Sequence, residues 1–249
     1  MDEATIGYAT YRWHQIANPY TLEQLERTLA VTDLKAGDKA VDIGCGNGFV
    51  AAWLAERYGL QMTGVERYPG MAALARETAA QPRARGALEV VEGLARDHLA
   101  QAGEHRLLCL LGAIDVTPGV RRPAEVLAAL LPSVAPGGWL LWGDPFWKAP
   151  PSDQLKTVFI EERFESLEGW MQAGEGVGLV PAYAAVSAEA EWERYIWTMN
   201  ASLLDFATSA SEPEASICRM SAAMARNLYL SEGRERMGFG LYLFQRPES

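Results

Sequence analysis

Residues Val41-Asp-Ile-Gly-Cys-Gly-Asn-Gly-Phe49 close a short apolar run at 40–43 and open an amphipathic segment at 47–58. Glycines at 44, 46 and 48 let the backbone turn tightly and come close to a ligand. The helix that follows offers free N–H groups and the positive end of its dipole, which suits a carboxylate. A strand that passes through such a loop into a helix is the first half of a strand–helix–strand unit. That unit fixes how the rest of the chain must be read.

The alternation continues for over a hundred residues. Apolar runs at 60–65, 88–92, 107–111 and 139–142 read as further strands. Helical segments at 69–80, 95–102 and 123–131 lie between them, and Pro136-Gly-Gly138 leads into the fifth strand. This order predicts an α/β fold, a parallel sheet covered on both faces, with right-handed crossovers. Ahead of it, 21–31 reads as a helix with Leu22, Leu25 and Leu29 on one face and Thr21 as N-cap. Asn18-Pro19 breaks that helix from the preceding segment. The C-terminal part has another rhythm. The patterns predict a helix at 156–171, a sixth strand within 177–186, helices at about 192–207 and 214–231, and a closing strand at 238–246. Residues 1–249 are expected to form a single domain, elaborated by an N-terminal helical segment (1–34) and a helical insertion (187–236).

Composition excludes several functions. The formal net charge is −10, and the basic residues are scattered, so a nucleic-acid partner is not expected. Cys45, Cys109 and Cys218 lie far apart, which suggests neither a disulfide framework nor a zinc site, and no metal is expected. The N-terminus has no signal-peptide pattern and no apolar run is long enough to span a bilayer, so a cytoplasmic protein off the membrane is expected. Asp144-Pro145-Phe146 invites comparison with the Asp-Pro-Pro-Tyr motif of enzymes that methylate base amines in DNA or RNA. That motif follows the fourth strand. Here the stretch follows the fifth, and its second proline is missing.

The glycine spacing is G-x-G-x-G, not the dinucleotide-binding G-x-G-x-x-G, because Phe49 stands where the last glycine would fall. Glu66 ends the second strand 18 residues after Gly48, where an acid can accept both hydroxyls of a ribose. With the Asp42 prefix and Pro136-Gly-Gly138, the set resembles the class I methyltransferases that use S-adenosylmethionine and release S-adenosylhomocysteine. The resemblance implies a Rossmann-like doubly wound sheet of seven strands, the last antiparallel. It also implies that Asp42, Gly44, Gly46 and Gly48 hold the methionine part, that Glu66 holds the ribose, that Glu92, Gly93 and Leu94 flank the adenine, and that Arg67 is a further cofactor contact. The tract after the third strand lacks the Asp found in many relatives, and the fourth strand is entered through Glu104-His-Arg-Leu107 without the usual acid. A narrower resemblance is to a group of stand-alone bacterial methyltransferases of unassigned substrate. It is carried by His14-Gln-Ile16-Ala-Asn18-Pro19, Gly112-Ala113, Gly143 to Trp147, and Trp192-Glu-Arg-Tyr195.

Ligands of open parallel sheets bind beyond the carboxyl ends of the strands. Gly112 after the fourth strand is placed beside the cofactor. Asp144, Trp147, Trp192, Tyr195 and Trp197 are candidate substrate contacts, since six of the eight tryptophans fall between 139 and 197. The competing reading for these aromatics is packing within the lid. His14 is the candidate general base, against a purely structural role, with Asp115 and Asp144 as rival acids. The expected partner is a small-molecule substrate, and the chain a monomer or homodimer. The expected reaction is direct in-line methyl transfer beneath a helical lid. A cofactor-binding protein without turnover and an NAD(P)-dependent oxidoreductase are the alternatives, the second disfavoured by the glycine spacing.

Overall fold

Strands buried on both faces make the centre of the molecule, and the order of apolar runs decides which they are. The protein is described by a computed structural model covering residues 1–113, 122–159 and 163–248. Two helices come first, α1 (Glu3–Tyr11) and α2 (Leu22–Leu29). Alternation then runs through β1 (Lys39–Ile43), α3 (Phe49–Tyr58), β2 (Gln61–Glu66), α4 (Pro69–Ala79), β3 (Leu88–Glu92) and α5 (Ala95–Ala102). It continues with β4 (His105–Leu111), α6 (Pro123–Leu130) and β5 (Val134–Trp147). The C-terminal part adds α7 (Asp153–Val158), α8 (Leu167–Gly176), β6 (Val180–Val186), α9 (Glu189–Ser209) and α10 (Glu212–Leu228). A π-helical turn (Tyr229–Gly233) and a last helical turn, α11 (Arg234–Arg236), lead into β7 (Met237–Gln245).

Among the described residues, seven strands form one sheet in the order β3-β2-β1-β4-β5-β7-β6. The first five are parallel, and β7 is antiparallel to both β5 and β6. The pleat sorts β4 between two cores. Leu107, Cys109 and Leu111 join the face that holds Leu54, Leu25 and Phe239. Leu108 and Leu110 join the face that holds Val41, Trp142, Trp170 and Tyr242. Thr21 caps α2 as its sequence predicts. Its hydroxyl accepts from Gln24 N–H while the Gln24 side chain accepts from Thr21 N–H, a reciprocal capping box.

Three expectations change. The fifth strand is not four residues long: β5 has 14, because β7 pairs with it all the way from Trp139 to Trp147. Pro145 survives within it despite lacking an N–H donor. The single helix expected at 156–171 is two, α7 and α8, each begun by a serine whose hydroxyl accepts a backbone N–H (Ser152 from Leu155, Ser166 from Gly169). Helix α3 begins at Phe49, two residues later than expected, since Gly48 takes a left-handed conformation.

Strand β7 leaves room for large rings through its glycines. A Cβ on Gly238 would lie 2.2 Å from the Phe146 ring, and one on Gly240 2.5 Å from the Tyr242 ring. We expect Gly238→Ala to lower stability by about 1–3 kcal/mol through overpacking. Denaturant unfolding measures this, and an unchanged midpoint would mean that Phe146 is free to move aside.

Candidate functional site

The loop after β1 is set by three left-handed glycines. Gly44, Gly46 and Gly48 have φ of +72°, +58° and +73°. Space forbids side chains as well: a Cβ on Gly44 would lie 2.7 Å from Ala113 Cβ, and one on Gly48 3.1 Å from the backbone of Ala75. The loop thus packs against the segment after β4 on one side and against α4 on the other. Glu66, at the end of β2, holds it from below. One carboxylate oxygen accepts Gly46 N–H and the other accepts Tyr68 N–H, each at 2.9 Å. Burial raises the Glu66 carboxyl above its ordinary value. Asp42 is buried beneath the same loop, and its Oδ1 has no partner among the described residues. Burial, with Glu66 nearby, pushes the Asp42 carboxyl up to about 7.

A cavity of about 730 Å³ opens over the carboxyl ends of β1, β2, β4 and β5. At one end its wall is Gly44, Gly46, Glu66, Arg67, Gly93 and Leu94. Gly112 stands in the middle, and Asp144, Arg163, Trp192, Tyr195, Tyr229 and Phe239 line the other end. Residues of α1, α9 and α10 complete the wall. The N-terminal segment is fastened to α9. Arg194 donates to the carbonyls of Ile16, Asn18 and Tyr20 at 3.3, 2.8 and 3.1 Å. Ser202 Oγ donates to Ala9 O at 2.7 Å, and Arg12 pairs with Asp205. The same segment is also fastened to the sheet. Asn18 Nδ2 donates to Leu111 O at 2.9 Å, and Asn47 Nδ2 to His14 O at 2.6 Å. At the start of α1, Glu3 accepts from Arg67 and from the Tyr68 hydroxyl.

The candidate residues from the sequence fall into two groups. The cavity brings together Gly44, Gly46, Glu66, Arg67, Gly93, Leu94, Gly112, Asp144, Trp192 and Tyr195. Asp42 and Gly48 lie behind the wall, Asp42 buried and Gly48 against the backbone of Ala75. Glu92 points elsewhere, to an exposed pair with Arg76 at 2.8 Å. Three substrate or base candidates require correction. Trp147 does not face the cavity but packs with Leu155, Phe164, Leu228 and Met237 in a small satellite core. Trp197 is 45% exposed on α9 and lies outside the cavity wall. His14 is buried with Nε2 3.1 Å from Tyr195 O, also outside the wall, and burial lowers its imidazole. It holds the N-terminal segment to α9, the structural role, and is not placed to take a proton in the cavity. Asp115 lies outside the described residues. Trp139, Trp142 and Trp170 belong to the core, Trp170 stacked on Tyr242 with centroids 4.7 Å apart.

The cavity also recruits residues that the sequence did not single out. Tyr11 and Tyr68 come from the N-terminal and α4 sides, Arg163 from between α7 and α8, and Tyr229 from the π-helical turn. Such a turn carries one extra residue and is frequent at functional sites. In sequence it has no mark beyond the Glu-Gly pair that ends it.

The sheet order, the glycine loop after β1 and the ribose-type acid after β2 define the architecture of a class I methyltransferase. Comparison with known proteins agrees. Residues 40–138 match a methyltransferase domain family. The uncharacterized protein YjhP of Escherichia coli is 25% identical over 97% of this chain and 98% of its own. A methyltransferase from Thiobacillus denitrificans, solved with S-adenosylhomocysteine, superposes with a TM-score of 0.84 at 24% identity over 98% of this chain and 99% of that one. Its counterpart from Geobacter sulfurreducens gives 0.84 at 22% identity over 96% and 97%. At these identities the two structures establish the fold. The chain spans about half the length or less, 40–55%, of the other curated methyltransferases that it matches. Residues 40–138 thus carry a methyltransferase domain, and the fold of the whole chain is that of the class I S-adenosylmethionine-dependent methyltransferases.

Two outcomes follow from this geometry. Arg194→Met should lower stability by roughly 1.5–3 kcal/mol and speed amide exchange in residues 12–20. Exchange confined to other segments would show that the strap is held without Arg194. Asp42 and Asp144 have raised folded values, about 7 and about 6, so the folded state binds more protons than the unfolded one above pH 4. Stability of the ligand-free protein should therefore fall as pH rises through these values. It should fall less in Asp42→Asn, as thermal unfolding between pH 5 and 8 will show.

Proposed function

We propose that the protein transfers the methyl group of S-adenosylmethionine to a small-molecule acceptor held inside the cavity. The observation that carries this reading is the continuity of that cavity. It runs from the glycine loop and Glu66 to an aromatic end beneath α1, α9 and α10. A single continuous cavity of this kind suits two small reactants brought face to face. The helical parts at 1–34 and 187–236 are read as elaborations of one domain that act as its lid.

The residues present fit the methyl donor. Gly44 and Gly46 present backbone without a side chain to the cavity, which lets the chain approach a ligand closely. Glu66 spends one lone pair of each oxygen on a backbone N–H and keeps acceptor capacity for the two ribose hydroxyls. Asp42 Oδ1 is a buried acceptor without a partner among the described residues, beneath the loop that would meet the methionine ammonium. Gly93 and Leu94 offer a backbone and an apolar side chain for the adenine. The donor supplies an already activated methyl. The protein is left to position the nucleophile in line and exclude water. The three cysteines are free and buried, which suits a reducing compartment such as the cytoplasm. Among the described residues, no helix is long and apolar enough to cross a membrane.

Titration calorimetry with S-adenosylhomocysteine tests the reading. Wild type should bind it, and Glu66→Ala should weaken binding at least about 10-fold, a loss of the two charge-assisted ribose contacts. Failure of the wild type to bind either S-adenosylmethionine or S-adenosylhomocysteine would refute the proposal.

A further inference from the structure

Asp144 stands apart from the other carboxylates that line the cavity. Glu66 is committed to the glycine loop and Glu3 to Arg67 and Tyr68. Asp144 is 3% exposed, and both of its side-chain contacts fall on Oδ2. Trp142 Nε1 donates to it at 3.3 Å and Arg163 at 3.4 Å. Its Oδ1 has no partner among the described residues. The cavity that Asp144 lines also has Phe159, Phe164, Trp192, Met237 and Phe239 in its wall.

On the sheet Asp144 lies across β4 from the glycine loop. Gly112 N–H donates to Gly143 O at 2.8 Å, so Asp144 adjoins the segment after β4. Ala113 in that segment abuts Gly44 of the loop. Two strand spacings, about 10 Å, separate Asp144 from the glycine loop. We infer that Asp144 receives the proton of the acceptor atom through Oδ1, and that the acceptor is a neutral, flat, apolar molecule bearing a ring-bound O–H or N–H. Arg163 is the positioning residue of this pair. This rests on the methyl-transfer reading above.

The charge balance selects the class. Arg163 cancels the charge of Asp144, so a cationic acceptor would gain little from the pair and would meet a guanidinium. A carboxylate would meet Asp144. A neutral O–H or N–H is left as the group that pairs with Oδ1, and the aromatic wall takes the rest of the molecule by stacking. In the reaction the bond from the acceptor heteroatom to the methyl carbon forms as the methyl–sulfur bond breaks. The bonding pair leaves on sulfur, and the heteroatom's proton passes to Asp144. Burial, opposed by Arg163, sets the Asp144 carboxyl at about 6, so it is ionised at neutral pH. The other titratable groups near it among the described residues are Tyr195 and Tyr242, which burial keeps neutral.

The test uses the whole protein saturated with S-adenosylhomocysteine and two probes, 2-naphthol and 2-methoxynaphthalene, which share a ring system but differ in the proton. Calorimetry or probe fluorescence should show 2-naphthol binding at least about 10-fold more tightly. In Asp144→Asn that preference should shrink to within about 3-fold, while S-adenosylhomocysteine affinity is unchanged. Naphthol binding to wild type should rise as pH passes through about 6. In Arg163→Gln the midpoint should move about one unit higher. Equal binding of the two probes to wild type, or no binding of either, overturns the inference, as does a preference that survives in Asp144→Asn. An unmoved midpoint overturns the role of Arg163. Failure to bind S-adenosylhomocysteine at all would instead remove the methyl-transfer reading.

Discussion

The carboxylate of Glu66 holds the site together. It ends β2, yet it accepts a backbone N–H from the loop after β1 and another from the start of α4. Two adjacent strand ends are thereby locked at one height. The glycine loop cannot relax, since its left-handed residues are wedged between Ala113 and Ala75. The surface that meets a ligand is therefore backbone, fixed before any ligand arrives, and such preorganisation removes an entropic cost from binding. The cost falls on burial instead, with two carboxyls, Glu66 and Asp42, held close together out of water.

What could be read from the sequence was what local chemistry dictates. The glycine loop, Glu66, the capped α2 and the five parallel strands are each set by residues a few positions apart. Gly112, Trp192 and Tyr195, singled out from their flanking motifs, line the cavity. What could not be read depends on distant partners. β5 runs to Trp147 because β7 lies beside it, and no periodicity within 134–147 announces that pairing. The same extension carries Trp147 past the cavity into a satellite core. His14 looked chemically able, but its ring nitrogen is taken up by a carbonyl on a helix some 180 residues away. Trp197 shares a helix with Trp192 but stands five positions on, well round the helix from it, and faces solvent. Arg163 and Tyr229 reach the cavity only through the turns that present them.

Aromatic residues in this molecule do two separate jobs. Those on β5 and α8 are structural. Trp170 stacks on Tyr242 and meets Trp142 edge-on, one aromatic cluster on the sheet face. Trp192 and Tyr195 on α9 and Tyr229 on the π-helical turn line the cavity, with Trp192 and Tyr229 nearly parallel at 6.0 Å. The boundary between the two sets runs along β5 itself. Within six residues that strand supplies a core indole at Trp142, a cavity-lining acid at Asp144 and a satellite-core indole at Trp147.

The strap between the N-terminal segment and α9 has a consequence for how the molecule is made. The contact of Asn18 with Arg194 spans 176 residues, and that of Arg12 with Asp205 spans 193. During synthesis the first twenty residues emerge long before their partners exist. The five parallel strands can pair while that segment is still unanchored, because none of their ladders needs it. The part of the cavity wall that α9 supplies can form only after α9 has left the ribosome. Order of synthesis thus separates the scaffold from the wall over it: the ends of the parallel strands come first and the helices that line the cavity last.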